Sequence, residues 1–404
     1  MRWRERLDKL AVMRSKHRLP ARLRILTLAM IVLFSASALS HAQAAPSFQS
    51  DEVHPDESIT FRYQDAGATK VVLRLEGSAE PLAMEKDSAG VWSVVTPALA
   101  PQIYGYSFEA DGQPRLDPKN TVVTQNFLFL ENMVTVHGKT PQPWEPRDVA
   151  HGTVFHHFYT TKVVQGLPAG QSDYFVYTPP GYDAKRRKPY PVLYLLHGWS
   201  DRANGWTEVG RANFIFDDLL AEGKIQPMVV VMPLGYGDMQ FVLGGHDGWN
   251  DNSAIDHNVE LFTQALLTEV MPRVESEYHV SKDQKERAIA GLSMGGLESL
   301  TIGLSHPKQF AWIGGFSSAL RQMDDAKELT RLNTAMRSEK TVFPQFVWMA
   351  CGTEDGLIAP NRKFEAWLKG QDIPVTVVET PGMHTWMVWR DNLVHFAPLL
   401  FQGK

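Results

Sequence analysis

The chain has 404 residues, 44% of them apolar and 21% charged, an ordinary globular composition long enough for two domains. The net charge of −5 is unevenly spread: residues 1–44 hold nine Lys/Arg and two Asp/Glu, which leaves −12 on the rest and argues against nucleic acid as a partner. The single cysteine, Cys351, excludes an intrachain disulfide and a cysteine-based zinc site, so the core itself must stabilise the protein.

Arg22 and Arg24 precede the apolar run "ILTLAMIVLFSASAL", which leads to Ala42-Gln43-Ala44. A positive flank, a short apolar core and small residues at a cut are the layout of a secretory signal, here over residues 1–44. The run is short for a membrane span, which needs about 20 apolar residues. The basic leader is long, and Met13 is a second candidate start. The expectation is a secreted or periplasmic protein with no membrane anchor after cleavage.

Residues 46–137 read as all-β. "TKVVLRLEG", "GVWSVV" and "IYGYSFEADG" are short runs rich in Val, Tyr, Phe and Trp, separated by turn residues. Tyr104, Tyr106, Phe108 and Ala110 share one face with period two, and Asp111-Gly112 supplies a hairpin turn. A small β-sandwich is expected. "GKTPQPWEPRDVAHG" (138–152) has three prolines and no apolar periodicity, and reads as a linker.

From residue 153 the pattern alternates β and α. "YPVLYLLHG", "PMVVVMPLG", "ERAIAG", "FAWIGGFSS", "FPQFVWMACG" and "PVTVVETPG" are near-continuous apolar runs, as strands buried on both faces require. Helical patterns lie between them, such as "NVELFTQALLTEVMPRVESEY", where Leu261, Leu266, Leu267 and Val270 fall on one face. The fold class is α/β, with a mostly parallel sheet covered on both sides.

Within this region Gly291-Leu292-Ser293-Met294-Gly295 fits G-x-S-x-G, with a strand before it and a helical pattern after it. A serine on that turn has its oxygen pushed outward, and glycines two residues either side avoid a collision. A hydroxyl needs a base, and the base an orienting acid, here in the chain order Ser, Asp/Glu, His. Of the histidines after Ser293, His306 reads as a helix cap and His395 as part of an apolar helix, whereas His384 follows a strand on a glycine-containing loop. The acid is Glu354 or Asp355 in "GTEDGL", and the shorter arm favours Asp355. The oxyanion donors are expected to be the N–H groups of Met294 and of Trp199 in "LLHGWSD", with His197 supporting that loop. Cys351 reads as buried core.

"VYTPPGY", "YPVLYLLHG", "VVVMPLGYG", "AIAGLSMGG", "GTEDGL" and "GMHTW" together resemble the esterase D–like esterase family over residues 153–404. That group includes feruloyl and acetylxylan esterases of carbohydrate esterase family one, enterochelin esterases and mycolyltransferases. The resemblance implies an α/β-hydrolase fold, a triad of Ser293, Asp355 and His384, and oxyanion donors at Trp199 and Met294. The front segment, on "YGYSFEADG" and "LDPKN", resembles early-set immunoglobulin-like modules, which sometimes bind glucans. A structural role, packing on the esterase and shaping one wall of its cleft, is the expectation here, with Trp92 in the core rather than serving as a sugar platform.

The segment "GYGDMQFVLGGHDGWNDNSAIDH" (235–257) departs from that family pattern and reads as a long loop, a lid or pocket wall. Phe241, His246 and Trp249 in it, with Trp386 beside His384, are candidates to contact an acyl group. Asp247, Asp251 and Asp256 lack a recognised calcium-loop spacing. No metal or organic cofactor is implied. The expected function is an exported serine esterase acting on feruloyl or acetyl esters of plant polysaccharide. One alternative is a siderophore esterase, for whose anionic iron complex Arg202 and Arg211 are the nearest cations. The other is a carbohydrate-binding protein whose hydrolase domain is inactive.

Overall fold

The computed structural model describes residues 48–320, 332 and 344–402, so the expected export signal over 1–44 lies outside the described residues. Residues Ser50–Lys404 form one compact unit. Its front portion carries β1 (Asp51–Val53), β2 (Ile59–Gln64), β3 (Val71–Leu75), β4 (Leu82–Ala83), β5 (Glu85–Lys86), β6 (Val91–Val95), β7 (Gln102–Ala110), β8 (Gln113–Arg115) and β9 (Asn132–Val136). These make two antiparallel sheets, one ordered β1-β2-β6-β5 and one ordered β4-β3-β7-β8, with β9 paired to β7.

The two sheets face each other through their aromatic residues. Phe61 of β2 packs on Tyr106 of β7 at 4.8 Å between ring centroids, and Tyr63 on Phe108 at 4.7 Å. Trp92 is buried in the same core, and its indole N–H donates to Asp65 O at 2.8 Å. Asp111 (φ 48°) and Gly112 (φ 78°) turn β7 into β8, both in the left-handed region that a two-residue hairpin of this twist demands.

Residues 138–152 contain no helix or strand, yet they are packed rather than loose. Trp144 is buried, and Arg147 bonds Asp218 at 3.1 Å and Glu222 at 2.9 Å.

The remainder is built on an eight-stranded sheet. Its strands are β10 (Thr153–Thr160), β11 (Gln171–Thr178), β12 (Val192–Leu196), β13 (Val229–Pro233), β14 (Arg287–Leu292), β15 (Trp312–Phe316), β16 (Phe346–Gly352) and β17 (Val375–Thr380), in the order β10-β11-β13-β12-β14-β15-β16-β17. The six strands from β12 onward are mutually parallel, while β10 and β11 pair antiparallel at one edge. In β12, Val192, Tyr194 and Leu196 enter one core and Leu193 and Leu195 the other, which is why its sequence is apolar without alternation. Helices Asn252–Ala265, Met294–Ser305 and Ile358–Gly370 pack on the first face, and Ala212–Ala221 and Trp386–Phe396 on the second. Strand order and the strand-serine-helix turn make this an α/β-hydrolase fold. Among the described residues no helix is long and apolar enough to cross a membrane.

Three features differ from the sequence reading. The β10–β11 edge pair was not expected as strands: β10 is exposed along most of its length, Phe158 by 67%, so no buried run or clean alternation marks it. The helical stripe runs through Val259, Phe262, Leu266 and Val270, with Leu261 and Leu267 only half-buried. A π turn at Leu266–Val270, just before Pro272, shifts the face. Residues 235–257 are not an open loop: they hold short helices Gln240–Leu243 and His246–Asn250 and the start of Asn252–Ala265. Asp251 caps that last helix, accepting from the Ser253 N–H at 2.9 Å.

Candidate active site

Ser293 sits at the end of β14 with φ 51° and ψ −112°, a left-handed conformation that costs a non-glycine residue roughly 1–3 kcal/mol. The surroundings enforce it. Its N–H donates to Phe316 O at 2.8 Å, and its carbonyl accepts from Leu297 at 3.0 Å and Ala319 at 3.0 Å. A Cβ on Gly291 would lie 2.4 Å from Gly295 O, and one on Gly295 2.5 Å from His197 O, so the turn closes only with glycine at both places.

The other two loops come from neighbouring parallel strands. Asp355 follows β16, His384 follows β17, and both lie with Ser293 at the carboxyl edge of the sheet. His384 Nε2 is 3.0 Å from Ser293 Oγ, and His384 Nδ1 is 2.7 Å from Asp355 Oδ2. The second Asp355 oxygen accepts the Leu357 N–H at 2.8 Å. Burial pushes the Asp355 carboxyl up, but the His384 contact and the Leu357 N–H outweigh it and hold the group below its ordinary value. Asp355 is 3% exposed, whereas Glu354 is exposed and lies at the cavity wall without that contact. The His384 ring stands edge-on to Trp389 at 4.8 Å. Such an arrangement can move a proton from the serine to the imidazole while the carboxylate fixes the tautomer.

The loop after β12 completes the edge. Gly198 packs against Ser293 and Leu292, and Trp199 follows it. His197 is fully buried between two loops: Nε2 accepts the Gly235 N–H at 2.8 Å, which leaves Nδ1 to donate to Gly198 O at 2.8 Å. Burial pushes its pKa down to about 4, so it stays neutral and acts as a brace. Met294 opens the helix Met294–Ser305, where the first N–H groups have no partner within the helix. Cys351 is buried at the end of β16, its thiol pushed up to about 12 by burial.

A cavity of about 900 Å³ opens over Ser293 and His384. One side is aromatic: Trp199 lies 5.0 Å from His246 and 6.1 Å from Trp249, and Phe129 lies 6.2 Å from Trp199. Trp249 and Trp386 line the cavity. Phe241 does not: it is 3% exposed, its ring packs 5.3 Å from Trp249, and its carbonyl accepts the Trp199 indole N–H at 3.1 Å. It anchors the wall from behind. Arg202 and Arg211 lie outside the lining, and Arg202 covers the Phe127 ring at 4.0 Å.

The front sandwich also lines the cavity, with Glu76, Asn126, Phe129 and Glu131. Asn126 donates to Ser200 Oγ and Asp201 Oδ1, both at 3.0 Å, and Phe127 N–H to Ser200 O at 2.8 Å. Burial and the nearby Glu76 push Glu131 up to about 7, and burial pushes Asp201 up to about 7. Sequence reasoning anticipated a wall from the front segment but did not name these residues. The exposed pair Phe129-Leu130 in "NFLFLEN" was the available signal.

The Esterase family model matches residues 169–399. The endo-1,4-beta-xylanase/feruloyl esterase of Xylanibacter ruminicola is 28% identical over 353 residues, 85% of this chain and 44% of that protein, so the chain spans less than half of that relative. The acetyl esterase of Caldicellulosiruptor saccharolyticus is 26% identical over 234 residues, 50% of this chain and 80% of the relative. Two solved structures are similar in fold. A CE1 ferulic acid esterase from Anaeromyces mucronatus has a TM-score of 0.56 at 22% identity, covering 65% of this chain and 96% of that one. The enterobactin esterase of Shigella flexneri, in the presence of enterobactin, has a TM-score of 0.65 at 17% identity, covering 90% and 99%.

Proposed function

The chain belongs to the Esterase family, and on that premise we propose an exported serine esterase that cleaves feruloyl or acetyl esters of plant polysaccharide. The observation that carries the mechanism is the continuous contact from Ser293 Oγ through the His384 ring to Asp355. Ser293 Oγ attacks the ester carbonyl as His384 Nε2 takes its proton, and Asp355 holds the imidazole and balances its charge. The N–H groups of Trp199 and Met294 hold the oxyanion. His384 returns the proton to the departing alcohol. Water then attacks the acyl-enzyme with His384 as base, and the acid leaves from a restored serine.

Export rests on the basic, apolar and small-residue pattern of residues 1–44. The substrate class is supported by the aromatic wall, which suits a planar acyl group, and by the likeness to a xylanase/feruloyl esterase. An anionic siderophore complex is disfavoured by the lining. Among the described residues Glu76, Glu131, Asp201, Glu354 and Asp355 contribute to it, while Arg74 bonds Glu109 and Arg390 is fully buried. We assign residues 46–137 to an early-set immunoglobulin-like module, 138–152 to a linker and 153–404 to the esterase domain. The module acts as a wall rather than a glucan binder.

Hydrolysis of p-nitrophenyl acetate by wild type and Ser293→Ala tests the mechanism. The variant should lose roughly 10⁶-fold in kcat, and equal rates would remove the serine from the chemistry and return the non-catalytic reading. The substrate is tested by kcat/KM on methyl ferulate, acetylated xylan and ferric enterobactin, with preference for the last overturning the assignment.

A further inference from the structure

We propose that Glu76, in the turn after β3 of the front sandwich, is a positioning residue for His384, an inference that rests on the triad reading. Its carboxylate caps the helix Trp386–Phe396, and so fixes the short connection that carries the imidazole. The start of a helix leaves N–H groups without partners, which a local Ser, Thr, Asp or Asn side chain usually meets. Thr385 stands at that place, but it makes no side-chain cap, and its Oγ1 is buried with no hydrogen-bond partner. The Trp386 N–H instead donates to Glu76 Oε1 at 2.8 Å, from a residue 310 positions earlier in the chain. A negative charge there also faces the positive end of the helix dipole.

Glu76 is itself held. Its N–H donates to Gly105 O at 2.8 Å, and its Oε2 accepts the Gly105 N–H at 2.9 Å. A Cβ on Gly105 would lie 2.7 Å from Glu131 Oε2, so glycine makes room for that neighbouring carboxylate, whereas Glu76 Oε2 at 3.5 Å would be in ordinary contact. The same helix is gripped again beside the cap. Met387 packs against the sandwich core, and Arg390 donates to Ile103 O at 2.6 Å. Between cap and imidazole the path is short: the Trp389 N–H donates to Thr385 O at 3.2 Å, and its ring meets His384 edge-on. The front sandwich therefore reaches the catalytic histidine through backbone, in addition to lining the cavity.

The experiment compares wild type, Glu76→Ala, Glu76→Gln and Ser293→Ala on p-nitrophenyl acetate, with thermal unfolding of each. Displacing a catalytic group by about 1 Å can cost about 10²-fold. Glu76→Ala should lose about ten- to a hundredfold in kcat, with KM nearly unchanged. Glu76→Gln keeps an oxygen for the Trp386 N–H but turns its NH2 toward the Gly105 N–H, so it should recover part of that loss. Should Glu76→Ala fail to fold, Glu76→Asp, too short to reach both N–H groups, should show the same kcat loss. An unchanged kcat, a change in KM alone, or a kcat loss that the glutamine variant does not recover even in part would overturn the proposal. Full activity in Ser293→Ala would instead remove the triad reading, whatever Glu76 does.

Discussion

Asp355 Oδ2 lies 2.7 Å from His384 Nδ1, while Glu354, one residue earlier, is exposed and gives its backbone N–H to Gly382 O at 2.9 Å. Two adjacent carboxylates thus have different surroundings, and the buried one is held in its charged form by the imidazole and the Leu357 N–H. Asp355→Asn should lower kcat by about 10⁴-fold through the wrong histidine tautomer. Glu354→Gln should stay close to wild type. Steady-state kinetics on a short ester decide it, and the reverse order of effects would move the acid to Glu354.

Phe129 reaches the cavity from the front sandwich and stands 6.2 Å from Trp199 and 6.1 Å from His246. It is 48% exposed, an apolar surface open to the cavity. If this wall receives an aromatic acyl group, Phe129→Ala removes a ring contact of about 0.5–1.5 kcal/mol, a loss of roughly two- to tenfold. That loss should appear in kcat/KM for methyl ferulate and not for p-nitrophenyl acetate. Equal losses on both substrates would show that the ring supports the fold of the wall instead.

The six parallel strands were legible because burial on both faces leaves an unbroken apolar run, as in Val192–Leu196. The elbow was legible because its constraints are local: Gly291 and Gly295 flank Ser293 within five residues. The β10 strand was not, since "TVFHHFYT" lies on an exposed edge where neither periodicity nor burial shapes the sequence. Glu76 and Glu131 were equally hidden. In sequence they are ordinary charges of a β-rich segment, and only the packing of the sandwich on the hydrolase brings them to His384 and its cavity. The loop 235–257 misled by composition: its Gly, Asp and Asn residues end and cap short helices rather than leave an open loop.

Arg390 joins the two halves of the fold with a fully buried guanidinium. It donates to Gln102 Oε1 at 3.0 Å and Ile103 O at 2.6 Å in the sandwich, and to Val209 O at 2.8 Å in the hydrolase. Burial pushes its pKa down to about 10, so it remains charged at neutral pH. Arg390→Ala leaves three buried acceptors without their donor and should cost about 3–5 kcal/mol, as breaking buried charged contacts does. Arg390→Lys should recover little, because one ammonium cannot reach acceptors arranged around a planar fork. Urea unfolding at fixed pH measures both. A loss below about 1 kcal/mol for the alanine variant would mean that water replaces the guanidinium and the junction is held by apolar packing alone.

Glu298, on the helix behind Ser293, is fully buried with Oε2 unpartnered, while Asn258 Nδ2 donates to Oε1 at 3.4 Å. Burial pushes its carboxyl well above the ordinary value, which favours the protonated form in the folded protein. The unfolded chain releases that proton near about pH 4.3. Above that point the folded state binds one proton more than the unfolded state, and the stability contributed by this group falls as pH rises until the folded pKa is reached. Below it both states are protonated and the effect vanishes. Glu298→Gln removes the titration while keeping size and polarity, so the variant should gain on wild type as pH rises above about 5. A change in the number of unsatisfied polar atoms would shift Tm equally at every pH. The reading is therefore the difference in Tm between variant and wild type, followed across pH. A difference that stays constant over that range would place an ionised carboxylate, with an unrecognised partner, behind the elbow.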